Sequence, residues 1–93
     1  MYKIILDRRA IKAIKKFPIK HQSQIKKYIL NFQNEQIPHD SEEIKGYAPY
    51  RRGDCGEYRI IYRLDTKTET VYVLLVGKRN GDEVYKQLKK LLS

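Results

Sequence analysis

The 93-residue sequence predicts an α+β fold, on three observations. Two neighbouring stretches, Ala10 to Phe17 and Ile25 to Phe32, repeat their apolar residues at helical spacing. From Tyr58 to Val76 the period changes to two, as strands require. Helical spacing then returns in Val84, Leu88, Leu91 and Leu92. The expected order is strand, helix, helix, three strands, helix, in one domain spanning residues 1–93. A helical hairpin and a C-terminal helix should segregate onto one face of a mostly antiparallel sheet, leaving the other face open to solvent or a ligand.

Each element has a local reason. Tyr2 to Leu6 is a short β-rich run and reads as the first strand. Asp7 stands at an N-cap position before a helix whose apolar face is Ala10, Ile11, Ala13, Ile14 and Phe17. Pro18 ends that helix and can open the next, which carries Ile25, Tyr28, Ile29 and Phe32 on one face and Lys20, Gln24, Lys26 and Lys27 on the other. Asn34 to Pro49 reads as an acidic connection broken by Pro38, Gly46 and Pro49, with Ile44-Lys45-Gly46 returning the chain to the core. Tyr50 to Arg52 reads as a short strand followed by Gly53 and Gly56. In the strand after it, Tyr58, Ile60, Tyr62 and Leu64 alternate with Arg59, Ile61, Arg63 and Asp65. Asp65 to Thr68 is a turn into an apolar strand, Thr70 to Val76, which Gly77 is expected to end. Asn80-Gly81-Asp82 is a second turn, with Asp82 a possible cap for the last helix.

Lys and Arg total 20 against 11 Asp and Glu, a net charge of +9. That surplus favours a polyanionic partner: nucleic acid, an acidic protein or anionic lipid. The charge is unevenly spread. Residues 1–34 carry nine basic groups against Asp7 alone, residues 35–57 are net acidic, and residues 58–93 are basic again. A single cysteine, Cys55, excludes an internal disulfide, and with only two histidines the chain offers no structural zinc set. The N-terminal apolar run is too short for a signal peptide, and no stretch approaches the roughly 20 apolar residues that span a bilayer. Expected, then, are a cytoplasmic location, no membrane, no metal and no cofactor.

Arginines dominate the candidate chemistry. With Tyr58, Ile60, Tyr62 and Leu64 turned to the helices, Arg59 and Arg63 project from the open face, where a guanidinium can hold a phosphate through two parallel hydrogen bonds. The same pattern also fits a solvated strand face with ion pairs to Glu57, Asp65 or Glu69. Lys78 and Arg79 follow Gly77 at a strand end, either a binding site or a basic turn. Tyr85, at the border of the last helix's apolar stripe, suits stacking on a base or half-burial. Arg51 and Arg52 form a third basic pair. His21 and His39 lack partners at metal spacing, and Cys55 has no activating base nearby in sequence.

Two motifs carry a family resemblance. Gly56-Glu-Tyr-Arg-Ile-Ile-Tyr resembles the Gly-acidic-Tyr-Arg-hydrophobic-hydrophobic-Tyr strand of the RelE/ParE toxin superfamily. Val76-Gly-Lys-Arg-Asn-Gly-Asp-Glu-Val-Tyr resembles the strand end and last helix of its RelE branch. Ile44-Lys45-Gly46 resembles the segment preceding the sheet, and the element order agrees over nearly the whole chain. The resemblance implies an mRNA interferase, the toxin of a type II toxin–antitoxin system. Such toxins cut mRNA in the ribosomal A site by attack of a ribose 2′-hydroxyl on the adjacent phosphorus. It implies catalytic roles for Arg59, Arg79, Tyr85 and Arg52, and substrate contacts from Arg51, Lys78 and Arg63. It also implies an acidic antitoxin as partner, besides the ribosome and mRNA.

The sequence departs from that pattern at the short strand. The family's two basic residues there stand two positions apart, whereas Arg52 alternates with Tyr50 and Asp54. Asp54 either accepts the 2′-hydroxyl proton or simply pairs with Arg52. The alternatives to an interferase are a ParE-like gyrase inhibitor, a nucleic-acid-binding module without catalysis, and a degenerate toxin that retains only antitoxin binding.

Overall fold

The computed structural model describes residues 1–93. The chain begins with β1 (Lys3–Leu6), α1 (Arg8–Lys15) and α2 (Ile19–Asn31). Four strands follow, β2 (Glu42–Glu43), β3 (Arg51–Cys55), β4 (Tyr58–Asp65) and β5 (Thr70–Lys78), and then α3 (Glu83–Leu92). Asp7 caps α1 as its sequence position suggests: Oδ1 accepts the Arg9 backbone N–H at 2.8 Å. Pro18 occupies the N-cap of α2. The Gln22 side chain donates to the Phe17 carbonyl at 2.8 Å and braces the corner between the helices.

The strands form one sheet in the order β1-β5-β4-β3-β2. β1 lies parallel to β5, with Ile4 beside Val71 and Ile5 beside Tyr72, and the other pairings are antiparallel. One face packs against α1 and α2. Tyr58, Ile60 and Tyr62 from β4 join Val71, Val73 and Val76 from β5, Ala10 and Ile14 from α1, Ile25 and Ile29 from α2, and Phe32 at the C-cap of α2. Tyr62 is fully buried, but its hydroxyl is satisfied: it donates to the Gln36 carbonyl at 2.9 Å and meets Ser41 Oγ at 2.7 Å. That pair ties the connection after α2 to the core.

Several expectations need correction. The helices do not share one face. α3 lies on the opposite side of the sheet, where Val84 and Leu88 bury against Ile61, Leu75 and Ile44 in a second, smaller core. The reason is apolar area: Ile61 sits between Arg59 and Arg63, and a bulge adds to it. Ile61 pairs with Leu75 but Tyr62 with Val73, so Leu74 is an extra residue, and Leu74 and Leu75 both serve the α3 side. The short strand does not stop before Gly53: β3 runs on to Cys55, and Gly53 lies inside it, buried under Tyr28 of α2, where a Cβ would overlap the Tyr28 hydroxyl. Gly77 does not end its strand, since β5 runs on to Lys78. The acidic connection contributes β2, paired to β3 through Glu42–Arg52 and Glu43–Arg51. Asp82 occupies the N-cap of α3 but its side chain makes no capping bond.

Candidate functional site

β3 and β4 are joined by a two-residue turn, Gly56–Glu57, with Gly56 at φ 58°, a backbone conformation that glycine adopts without steric cost. The register this turn sets places Asp54 directly opposite Arg59. Strand alternation puts Arg52 on the same face, the one that α3 partly covers. At the end of β5, Arg79 is fixed to the turn by its backbone N–H, which donates to the Glu57 carbonyl at 2.9 Å. α3 begins over Gly77, where the Val84 Cβ lies only 3.3 Å from the position a Cβ would take. This close approach brings the adjacent Tyr85 down onto the sheet.

The result is a cluster centred on one carboxylate. Arg59 Nε–H donates to Asp54 Oδ1 at 2.9 Å and its Nη2 reaches Oδ2 at 3.4 Å. Arg52 Nη1 and Arg79 Nε each lie 3.5 Å from the same Oδ2. Arg59 Nη1–H also donates to the Tyr85 hydroxyl at 3.0 Å, with its guanidinium carbon 5.4 Å from the ring centroid. Arg52 is further held by Glu42 at 2.9 Å. Exposure separates the arginines: the Arg59 side chain is 15% exposed and Asp54 17%, whereas Arg79 is 52% exposed. Arg79 spends one donor on the Gly56 carbonyl at 3.3 Å and turns much of its guanidinium to solvent.

Burial acts to raise the Asp54 pKa. The Arg59 hydrogen bond and the charges of Arg59, Arg79 and Arg52 outweigh it and hold the carboxyl below the ordinary carboxylate value. Hydrogen bonding to Asp54 in turn lifts Arg59 above the usual guanidinium value, against a smaller opposing effect of its burial. Asp54 is therefore a firmly ionised counterion with both oxygens engaged, and a poor proton acceptor. Three arginines against Asp54 and Glu42 leave the cluster net cationic. Such a set can neutralise an anion at the surface, with Arg79 foremost and the Tyr85 ring beside it.

Of the residues singled out in the sequence, the structure brings Arg59, Arg79, Tyr85 and Arg52 together. Lys78 is adjacent, but it pairs with Tyr58 and emerges on the α1/α2 side of the sheet. Arg51 pairs with Tyr62, on that same opposite side, and donates to Ser41 Oγ at 3.1 Å and to the Ser41 carbonyl at 3.2 Å. Arg63 shares the α3 face but lies four residues along β4 from Arg59. Its guanidinium rests on the Tyr72 ring, 4.1 Å from the centroid, rather than on Glu57, Asp65 or Glu69. His21 Nδ1 meets the Tyr58 hydroxyl at 2.7 Å, and His39 is exposed. Cys55 is partly buried, with its thiol donating to the Gln24 carbonyl at 3.6 Å; burial raises its pKa. No group of three or more His, Cys, Asp or Glu is placed to hold a metal ion. No helix is long and apolar enough to cross a membrane.

The sequence offers Asp54 as a partner of Arg52, and the structure forms that pair; what sequence reasoning missed is Asp54 as the shared counterion of Arg59 and Arg79, and Glu42 as a partner of Arg52. Asp54 as the hub was readable from the hairpin: a Gly56–Glu57 turn makes 54 and 59 opposite numbers, whereas treating Gly53 as a break hid the pairing. Glu42 had no such signal, because a two-residue strand leaves no period to detect.

The chain matches the model of the family described as the ParE toxin of the type II toxin–antitoxin system, parDE, over residues 4–83. It belongs to the RelE/ParE superfamily of type II toxins. Among solved structures, a doubly substituted E. coli RelE toxin in the free state is 24% identical, with a TM-score of 0.77 over 99% of this chain and 98% of that one. The archaeal RelE–RelB complex from Pyrococcus horikoshii OT3 gives a TM-score of 0.76 at 21% identity, covering 85% of this chain and 96% of that one. The RelB–RelE antitoxin–toxin complex from Methanococcus jannaschii gives 0.68 at 25% identity, covering 89% and 96%. The three helices on a five-stranded mixed sheet are thus a RelE-like fold. No curated protein matches in sequence.

Proposed function

We propose that this toxin is a ribosome-dependent endoribonuclease that cuts mRNA in the A site. The observation that carries the reading is the convergence of Arg52, Arg59 and Arg79 on Asp54, with Tyr85 hydrogen-bonded to Arg59. In the proposed reaction a ribose 2′-oxygen attacks the neighbouring phosphorus. The bond from phosphorus to the 5′-oxygen breaks, leaving a 2′,3′-cyclic phosphate and a 5′-hydroxyl; the 2′-hydroxyl proton passes to water, and the departing 5′-oxygen takes a proton from water. Negative charge builds on the phosphoryl oxygens, and positioned guanidinium groups stabilise it. Arg79, with free donors, meets the phosphate. Arg59, largely saturated, positions Tyr85 and adds charge from behind. The Tyr85 hydroxyl accepts from Arg59, so its own proton is free to donate to phosphate, and its ring can stack on a base. Arg52 completes the positive field. The cluster supplies charge rather than a strong base: Asp54 is held ionised by its arginines, and arginine stays protonated.

An antitoxin partner belongs to this reading. The RelE toxins of Pyrococcus and Methanococcus are crystallised with RelB antitoxins. The +9 charge suits an acidic partner. An apolar groove between β1 and the two helices, with Ile4, Leu6, Ile11 and Leu30 rimmed by Lys15 and Lys26, offers an amphipathic segment a seat.

The match to a ParE family model favours a second reading, inhibition of gyrase. That reading leaves the arginine cluster without a task, because blocking a topoisomerase needs no phosphate-cleaving set. Purified toxin added to mRNA-programmed ribosomes, with a gyrase supercoiling assay in parallel, separates the two. The expected result is mRNA fragments bearing 5′-hydroxyl ends with supercoiling unaffected. Intact mRNA with blocked supercoiling overturns the proposal.

A further inference from the structure

Arg63 is set apart from the other arginines on or beside the sheet. Arg51 is bound by Ser41, Arg52 by Glu42 and Asp54, Arg59 by Asp54 and Tyr85, and Arg79 by Asp54 and the Gly56 carbonyl. Arg63 makes no hydrogen bond and no ion pair. Its guanidinium lies over Tyr72, directly across in the β4–β5 register, 4.1 Å from the ring centroid. Stacking fixes its plane while leaving its N–H donors uncommitted. Tyr50 approaches from the β3 side and Ile5 from β1, and these four side chains line a cavity of about 240 Å³ with Leu74 as part of its wall. The one carboxylate at the rim, Asp7, is already occupied by the Arg9 backbone N–H at 2.8 Å and the Arg9 guanidinium at 3.2 Å. A sheet face with two tyrosines and an unsatisfied arginine has the chemistry of a base-stacking platform: flat rings for a base, and a fork of donors for a phosphate or a base edge.

This platform and the Asp54 cluster belong to one face of the sheet. They stand four residues apart along β4, which is roughly 13–14 Å at the rise of a strand. Ile61, halfway between, is sealed under α3. A strand of RNA held at Arg79 and Tyr85 therefore reaches this cavity only by passing the edge of α3.

We propose that Tyr50, Arg63 and Tyr72 form a second nucleotide subsite, which stacks one unpaired base of single-stranded RNA while Arg63 contacts its phosphate. The polymer class rests on the endoribonuclease reading above; the subsite itself rests on the arrangement of these three residues.

The test is equilibrium binding of a fluorescein-labelled single-stranded RNA heptamer to the purified toxin by anisotropy, across a series of salt concentrations. Removing a stacked ring as in Tyr72→Ala weakens binding about tenfold, and Tyr72→Phe, which keeps the ring, restores it. Arg63→Gln lowers the slope of log affinity against log salt by about 0.7, as expected for one lost phosphate contact on a single strand. A misfolded variant gives no such selective change in slope, and thermal melting of each variant accompanies the series. Wild-type affinity and slope in both Arg63→Gln and Tyr72→Ala overturn the subsite, as does the absence of saturable binding by the wild type. If these variants instead lose affinity only for an acidic protein partner, the face belongs to that partner and the proposal is again overturned. Arg79→Ala on programmed ribosomes reports separately on the cluster, so the subsite and the cleavage reading fail in distinguishable ways.

Discussion

Arg59 donates a hydrogen bond to the Tyr85 hydroxyl at 3.0 Å and so ties the centre of the sheet to the last helix. The same guanidinium is anchored on its other side by Asp54, so the position of Tyr85 is set by a chain of three residues from β3, β4 and α3. Tyr85→Phe removes the acceptor and keeps the ring. A hydrogen bond from a charged donor contributes about 1.5–3 kcal/mol when buried, and the partial exposure here reduces that to about 1 kcal/mol. Urea denaturation measures it. A loss of stability confined to that range, with reduced mRNA cleavage, is the expected outcome; unchanged stability means the bond is not formed in solution.

Asp54→Asn tests the hub. The substitution keeps the shape and removes the charge that three arginines share, and the expected destabilisation at neutral pH is about 2 kcal/mol. Because the folded-state pKa of Asp54 is depressed, its contribution is present above the ordinary carboxylate value of 3.8 and is lost as the pH falls through the lower, folded value. The stability gap between wild type and Asp54→Asn should therefore be flat near neutrality and close in strong acid. Asp65, also depressed by hydrogen bonds from its turn, titrates in both proteins and cancels in the difference. A gap that widens with acid contradicts the assignment.

Gly53 and Tyr28 form a steric pair. Gly53→Ala pushes a methyl group into the Tyr28 hydroxyl and should cost about 1–3 kcal/mol. The Tyr28 hydroxyl is buried without a hydrogen-bond partner, and burial first, then nearby acidic groups, push its pKa well up. Tyr28→Phe is accordingly expected to stabilise the protein by about 1 kcal/mol. The double variant should recover part of the Gly53→Ala loss, and a double-mutant cycle by thermal melting reads the coupling. Strict additivity would falsify the contact.

The two cores should differ in their effect on function. Leu88→Ala and Ile14→Ala each remove a buried aliphatic side chain, at about 2–5 kcal/mol. Only Leu88 holds the helix that carries Tyr85. At a temperature where both variants remain folded, cleavage should fall in Leu88→Ala and persist in Ile14→Ala. Equal losses in both would mean that α3 positions nothing.

How much of this was legible in the sequence depended on period and on turn chemistry. The alternation from Tyr58 to Leu64 told which β4 residues face α1 and α2, because one face is wholly apolar; it also placed Arg59 and Arg63 on the other face. The same alternation hid the side taken by α3, because Ile61 between two arginines looks like a solvated position until Leu75 and Val84 cover it. The bulge at Leu74 carries no local signature, since Val73-Leu74-Leu75-Val76 is apolar throughout. Arg59, Arg79, Tyr85 and Arg52 are gathered by the family resemblance, since the sequence pattern of each fits surface charge or half-burial as well as a site. Arg51 and Lys78 both emerge on the α1/α2 side, Arg51 through its pairing with Tyr62 and Lys78 through a pairing with Tyr58 that needs the bulge to be known; the resting place of Arg63 on Tyr72 follows from the register set at the Asp65–Thr70 turn.

In the proposed reaction Arg79 is the exposed cation that acts on the scissile phosphate. Mapping mRNA 5′ ends in a translating extract, with wild type and Arg79→Ala at matched folded concentrations, tests it most directly. New 5′ ends within codons, dependent on ribosomes, are expected in the wild type, and their loss in Arg79→Ala with the fold intact. Undiminished cleavage by Arg79→Ala, or no new ends with the wild-type toxin, would contradict it.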